Sequence, residues 1–114
     1  MRWLGERGAT YFVQMELPYD ANSTFAANGY VGYRVEANVA DHDAYGVGVY
    51  HFFRDYVVTV PNVIVAPPQL EHRFVAPLAV YLTGKGTALH VINDKGNWTG
   101  PKGGNGDVAH WCGD

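Results

Sequence analysis

The chain has 114 residues, of which 47% are hydrophobic, 14% aromatic and only 17% charged. A disordered tail needs many charges and few aromatics, so this composition excludes one, and the length suits a single domain. The formal net charge is −3 and the charges form no basic run, which argues against a nucleic-acid partner. Every apolar stretch is much shorter than the roughly 18 residues of a membrane span, so we expect no membrane contact.

Alternation of apolar and polar residues predicts strands along most of the chain. Between Tyr30 and Val39, apolar residues at odd positions alternate with other residues at even positions, which places one set on one face of a strand. Further strands are predicted at 11–17, 47–53, 56–60, 63–66, 74–82 and 87–93. The fold class is therefore all-β, and a helix of ordinary length has almost no room.

Turn and loop signals separate these strands. The sequence Asn93-Asp94-Lys95-Gly96 predicts a tight turn, and the His and Asp content of 39–45 favours a loop. Two architectures fit short, evenly spaced strands: a β-sandwich or jelly roll, and a few coils of a β-solenoid. Because no fixed repeat period is evident, the pattern alone favours the sandwich.

Three segments resemble a known family: 29–35 (GYVGYRV), 39–50 (VADHDAYGVGVY) and 84–96 (GKGTALHVINDKG). Together they are similar to the C-terminal region of glycoside hydrolase family 55-like proteins, the β-1,3-glucanase-like group of the pectate-lyase superfamily. The resemblance extends from about Tyr11 to Gly96 and rests on ordered blocks, without a catalytic signature.

The resemblance implies two consecutive right-handed parallel β-helices in a longer secreted protein, with this chain forming the terminal coils of the second. Residues 1–96 would be the β-helix portion and 97–114 a Gly-rich loop or tail. The implied partners are a β-glucan-like polysaccharide and the upstream part of the same protein. The location would be extracellular, and since the sequence opens without a signal peptide, we expect it to start inside a longer gene.

Asp41-His42-Asp43 is the densest titratable cluster. Two carboxylates around an imidazole can hold a proton donor, orient the histidine or bind a hard cation. The alternative is a solvated loop in which the aspartates cap their own backbone.

Glycoside hydrolysis needs an acid with a raised pKa and a second carboxylate or its equivalent. The glutamates are Glu6, Glu16, Glu36 and Glu71, and none lies in a motif that matches a catalytic acid, so we assign no catalytic residue. We expect the chain alone to be inactive, although the parent would be a glycoside hydrolase. The lone Cys112 and the wide histidine spacing predict no metal site, and we expect no cofactor.

Aromatic rings can stack on the apolar faces of sugars, and the candidates are Tyr45, Tyr50, Phe53, Trp3 and Trp98. Core packing is the alternative for Phe53 and Tyr50, whereas Trp98 lies in a Gly-rich stretch with little local core to fill. The predicted substrate-binding residues are Trp98, Tyr45, Tyr50, Asp41, His42 and Asp43.

The sequence thus predicts the C-terminal part of a secreted glucanase-like hydrolase, which completes the β-helix and forms part of the polysaccharide cleft. One alternative is a self-contained carbohydrate-binding β-sandwich. Another is an adhesion module of a surface fibre.

Overall fold

Eleven short strands and two short helices follow one another in residues 1–101 and 107–113, the part of the chain that the computed structural model describes. The strands are β1 (Arg2–Trp3), β2 (Gly8–Tyr11), β3 (Gln14–Glu16), β4 (Tyr33–Val35), β5 (His42–Tyr45), β6 (Gly48–Phe53), β7 (Thr59–Val65), β8 (Phe74–Val75), β9 (Leu78–Gly84), β10 (Thr87–Ile92) and β11 (Val108–His110). The helices are α1 (Ser23–Ala27) and a 3₁₀ helix (Pro68–Arg73). Neither of them is long and apolar enough to cross a bilayer.

The strands form three sheets that the chain visits in rotation. Sheet A has the order β1-β4-β7-β10, sheet B the order β2-β5-β8, and sheet C the order β3-β6-β9-β11. All pairings are parallel except that of β11 with β9. The first coil contains β1 to β3, the second β4 to β6 and the third β7 to β9, and β10 begins a fourth. The chain is therefore a parallel β-helix, the fold class implied by the family resemblance.

The coils differ in length, which hides the repeat from the sequence. On sheet C, Gln14 pairs with Gly48 and Gly48 pairs with Leu78. The number of residues between equivalent positions, which we call the step, is therefore larger from the first coil to the second than from the second to the third. On sheet A, the step from Thr59 to its partner Thr87 is shorter than either. The preference for a β-sandwich is wrong, because alternation within one strand is the same in both folds and only the pairing between strands separates them.

The three sheets enclose one core of inward-facing side chains. Of the alternating residues predicted to share one face at 30–39, Tyr33, Val35 and Val39 are buried, but β4 covers only Tyr33–Val35 and Ala37 is exposed. Helix α1 was not predicted. It lies between β3 and β4, begins with Asn22 accepting a hydrogen bond from the Phe25 amide at 3.0 Å, and packs Phe25 against the core. This insertion helps to make the step from the first coil to the second longer than the next step.

Three predicted segments differ from the structure at the corner between sheets B and C, and one of them is the strand predicted at 74–82, which is divided at Ala76 into β8 and β9. The run 11–17 is not one strand, because Phe12 has a φ of 56° and ends β2 before β3 begins. The equivalent corner residues of the next two coils also have positive φ, at 70° for Gly46 and 54° for Ala76. The loop predicted at 39–45 is wrong, because His42–Tyr45 forms β5 and pairs on both sides, with β2 and β8.

A tight turn reverses the chain after β10. Asn93 and Asp94 have φ values of 48° and 64°, the left-handed region that two-residue hairpin turns require. Lys95 then accepts and donates backbone hydrogen bonds with Ile92. This finding confirms the turn predicted from the sequence at 93–96.

Thr99 closes the last end of the β-helix. Its backbone amide donates to Ala88 O at 2.9 Å and its carbonyl accepts from Ala88 N at 3.0 Å. Its hydroxyl lies 2.8 Å from Nε2 of His51, and both side chains are fully buried. The core is thereby covered at this end by a polar pair that shares one hydrogen bond, while Nδ1 of His51 has no hydrogen-bond partner in the described part of the chain.

The described residues 107–113 of the segment predicted as a Gly-rich loop or tail (97–114) contribute further to this closed end. Residues 102–106 and 114 lie outside the described part of the chain. Beyond them, β11 pairs antiparallel with β9, and Ala109 of β11 is buried. The division of the chain at residue 96 stays a prediction.

The first end of the β-helix is open. β1, β2 and β3 are the outermost strands of their sheets, and within residues 1–101 and 107–113 no strand pairs with their outer edges. Trp3 and Met15 are only half-buried there, and Leu4 is 61% exposed. Unlike the last end, the first coil thus presents three adjacent strand edges.

The buried His51 predicts a loss of stability in acid. Burial lowers its pKa from 6.5 to about 4, so the neutral ring is favoured in the folded chain. The stability that the neutral His51 contributes to the folded chain is present in full above pH 6.5 and is lost as the pH falls toward 4. Between pH 7.5 and 4.5 we expect His51 to account for a loss on the order of 2–3 kcal/mol in the free energy of unfolding.

Urea unfolding at the two pH values measures this loss. The variant His51→Gln keeps a side chain able to hydrogen-bond Thr99. Its loss in the free energy of unfolding between the two pH values should be smaller than that of the unaltered chain by about the His51 contribution. His72→Gln, at an exposed histidine, should behave like the unaltered chain. Equal losses for His51→Gln and the unaltered chain would refute the assignment.

Candidate functional site

Three of the six predicted binding residues lie together on the outer face of sheet B. Side chains alternate along β5, so Asp43 and Tyr45 face outward while His42 and Ala44 are buried. Asp41 directly precedes the strand and is also partly exposed. The cluster predicted from Asp41-His42-Asp43 is therefore divided between the surface and the core.

Arg73 clamps both aspartates. Its Nε donates to Asp43 Oδ1 at 2.6 Å, and one terminal nitrogen donates to Asp43 Oδ2 at 2.8 Å and to Asp41 Oδ1 at 2.6 Å. The hydrogen bonds from Arg73 hold the pKa of Asp43 below its usual range, and the same bonds raise the pKa of Arg73. Asp43 is thus an ionised hydrogen-bond acceptor, and a cation at this position would be repelled by the guanidinium.

An aromatic surface adjoins this charged cluster. Tyr45 stacks on Tyr11 of the neighbouring strand, with ring centroids 5.1 Å apart and planes inclined by 6°. Phe12 is 80% exposed, and its ring lies over Gly46, where an added Cβ would come within 2.8 Å of it. Together with Val75, 52% exposed, these side chains form an apolar strip beside hydrogen-bonding groups. Carbohydrate-binding surfaces combine these two features.

His42 belongs to the core. Its side chain is fully buried, and its Nε2 lies 2.5 Å from the Tyr33 hydroxyl, which in turn lies 2.9 Å from the Thr10 hydroxyl. Burial lowers the pKa of His42, and the nearby charge of Asp43 opposes this shift. The ring also lies beside Trp3, at 4.9 Å between centroids. This geometry assigns His42 to an internal hydrogen-bonded chain that links the interiors of the first two coils.

Tyr50 and Trp98 lie at two other places. Tyr50 faces outward on sheet C, where with Gln14, Met15, Glu16 and Leu82 it lines a shallow groove of about 290 Å³. Trp98 is half-buried at the closed end, in a larger groove of about 520 Å³. The structure therefore does not bring the six predicted residues into one site, and their binding role stays a prediction.

The carboxyl groups with shifted pKa values favour the ionised form, which accepts hydrogen bonds. In the described residues, those whose pKa clearly departs from its usual value, Asp43, Asp55 and Glu71, all have it lowered. For Glu71, burial raises the pKa, but the bonds from Lys95 and Asn93 outweigh it. A glycosidase acid needs a raised pKa, so none of these three suits that role. Within residues 1–101 and 107–113, no three His, Cys, Asp or Glu side chains are placed to hold a metal ion.

Sequence reasoning missed six residues of this surface and of the hydrogen-bonded chain beneath it: Arg73, Tyr11, Phe12, Val75, Thr10 and Tyr33. Arg73 is 30 residues from Asp43 in sequence, and only the stacking of β8 on β5 makes them neighbours. An alignment of the three corners would have found Tyr11, Phe12 and Val75. The segments Tyr11-Phe12-Val13, Tyr45-Gly46-Val47 and Val75-Ala76-Pro77 occupy equivalent corners.

Comparison with known proteins supports this architecture. The exo-beta-1,3-glucanase of Streptomyces sp. (strain SirexAA-E / ActE) is 36% identical over 105 residues, which cover 87% of this chain and 17% of the glucanase. No protein-family model matches the chain. The solved structure of sacteLam55A from Streptomyces sp. SirexAA-E matches with a TM-score of 0.85 and 32% identity, over 97% of this chain and 21% of that one. A structure of a sacteLam55A variant in complex with glucose gives the same values.

The chain is a homologue of the C-terminal region of glycoside hydrolase family 55-like proteins. The family resemblance and the β-helical fold predicted from it are both confirmed. The chain spans about a fifth of the length of these relatives. Within the family 55-like fold, the Arg73 clamp and the Tyr11–Tyr45 stack are features of the outer surface of sheet B.

The clamp predicts that the ionisation of Asp43 depends on Arg73. Replacing Arg73→Ala should raise the pKa of Asp43, because the hydrogen bonds that favour its ionised form are removed. Titration of the side-chain carboxyl carbon by NMR measures this change. Arg54→Ala is the matched control, since it removes the Arg54–Asp55 ion pair and should leave the pKa of Asp43 unaltered. An Asp43 pKa that stays the same in Arg73→Ala would contradict the account.

Proposed function

We propose that this chain closes one end of the β-helix in a longer glucanase-like glycoside hydrolase that acts on β-1,3-linked glucan. The observation that supports it most is the difference between the two ends. At the last end, Thr99 pairs with β10 and β11 pairs with β9, and in the described part of the chain only the two-residue β8 lacks an outer partner, whereas β1, β2 and β3 leave three parallel edges open. An unpaired edge is a template for another strand, and three such edges in one coil fit a preceding coil of the same kind.

The relatives favour the same role. The matching glucanase is about six times longer than the part this chain covers, and the superposition spans nearly the whole of this chain. The glucan substrate comes from the name of that relative, and a solved neighbour was studied with glucose. We extend both to the parent of this chain as part of the proposal.

The outer surface would supply part of the polysaccharide cleft. The strip of Tyr11, Phe12 and Tyr45 offers apolar ring faces, while Asp41 and Asp43 offer fixed acceptors beside it. The groove at Tyr50 lies on the adjacent sheet and includes the polar side chains of Gln14 and Glu16. Both surfaces begin at the first coil, so a preceding coil would lengthen them.

The chemistry of hydrolysis would depend on groups outside this chain. The lowered pKa values of Asp43, Asp55 and Glu71 favour binding over proton donation. We also propose an extracellular location for the parent, because a polysaccharide too large to enter a cell must be met outside it.

A hybrid enzyme tests the closing role. The matching segment of the Streptomyces glucanase is replaced by this chain, and hydrolysis of laminarin, a β-1,3-glucan, is measured. We expect a hybrid that unfolds in one transition and has activity within roughly tenfold of the native glucanase. The isolated chain should show no turnover.

A second hybrid, in which this chain ends at Gly86, removes β10, Thr99 and β11 and is the matched control. It should be inactive and prone to aggregate, because the core of the third coil is uncovered. A folded but inactive complete hybrid, or turnover by the isolated chain, would overturn the proposal.

A further inference from the structure

The closed end of the β-helix carries a groove of its own, which we call the Trp98 groove. It has a volume of about 520 Å³ and is lined by Val57, Gly84, Lys85, Thr87, Trp98 and Pro101. Sites for small ligands typically measure about 300–1,000 Å³, so this groove is large enough for one or two sugar rings. It lies at the opposite end from the open edges of the first coil, so a preceding coil would not cover it.

Trp98 is held in place by its neighbour. Thr99 makes two backbone hydrogen bonds with Ala88 and one side-chain bond with the buried His51. Gly100 is buried against Thr87, where an added Cβ would come within 2.8 Å of the threonine hydroxyl. The indole therefore stands on a fixed stretch of backbone, which reduces the entropy lost when a ligand binds.

Core packing does not account for Trp98. Thr99 and Gly100 fill the space above the core and are buried, while Trp98 itself is half-exposed. Val57, on the facing wall, is 83% exposed. An aromatic ring and an aliphatic side chain that share an open groove present apolar surface with no occupant in the described part of the chain.

The polar groups of the groove are hydrogen-bond donors. In residues 1–101 and 107–113, the Lys85 ammonium forms no ion pair within 4.0 Å, and no carboxylate lines the groove. Thr87 adds a half-buried hydroxyl. A pyranose ring matches this set, because its C–H face can stack on the indole while its hydroxyls accept from Lys85 and Thr87.

From these observations we infer that the Trp98 groove is a binding subsite for a β-linked glucan chain. The inference rests on the proposed function for the identity of the sugar, and on the groove for its position. The subsite would hold polysaccharide at the closed end of the β-helix, with Trp98 as the stacking residue and Lys85 as the principal donor.

Titration of the isotopically labelled chain with a β-1,3-linked gluco-oligosaccharide, followed by NMR, tests the inference. We expect shifts of the Trp98 indole N–H and of the amides of Lys85 and Thr87. Trp98→Ala should weaken binding roughly tenfold or more, as truncation of a stacking aromatic does at other binding sites. Trp98→Phe should recover part of the affinity. Lys85→Ala should weaken binding without disturbing the closed end of the β-helix.

Tyr30→Ala is the matched control, because Tyr30 is 56% exposed and lies outside the groove. Its affinity should equal that of the unaltered chain. Shifts of the Lys85 and Thr87 amides that survive Trp98→Ala, no shifts at the Trp98 groove, or shifts there with a polyuronate alone would overturn the inference. If the hybrid enzyme is inactive but the titration shows binding at the Trp98 groove, only the proposed function is refuted. If the hybrid enzyme is active but the titration shows no binding there, only the proposed subsite is refuted.

Discussion

The parallel stacking of coils is the constraint on which the rest of the structure depends. A parallel strand satisfies its backbone only when another strand lies on each side, so every β-helix has two ends that expose strand edges and core. This chain closes one end with its own residues. The turn at Asn93 and Asp94, the Thr99–His51 hydrogen bond and the antiparallel β11 all replace the coil that would otherwise come next.

The same alternation that builds the core also directs other side chains to the outer surface. On β5, His42 turns inward to Tyr33, while Asp43 and Tyr45 turn outward to Arg73 and Tyr11. Each outward side chain has a neighbour from the adjacent coil, so the surface is ordered by the stacking itself. Ionised acceptors and exposed rings suit the proposed recognition of a polysaccharide, and under that proposal the proton transfer of hydrolysis would depend on other parts of the parent.

The sequence was informative about strands and turns and poor about how they pair. Alternation located β4 and β6, and the turn at 93–96 followed from its residue types. The parallel arrangement was predicted only through the family resemblance, because successive coils of unequal length conceal the repeat. Side chains that meet across coils, such as Arg73 with Asp43, have no local signal at all. The proposed binding roles of Trp98 and Tyr50 depend on grooves that exist only after the coils have stacked.

Hydrogen exchange tests most directly the claim that the first coil is an open edge and the last end is closed. The amides of β1, β2 and β3 are compared between the isolated chain and the hybrid in which glucanase coils precede it. We predict rapid exchange of these amides in the isolated chain, slow exchange in the hybrid, and equal protection of Ala88 and Thr99 in both. Strong protection of the first coil in the isolated monomer, or rapid exchange at Ala88 and Thr99, would contradict the account.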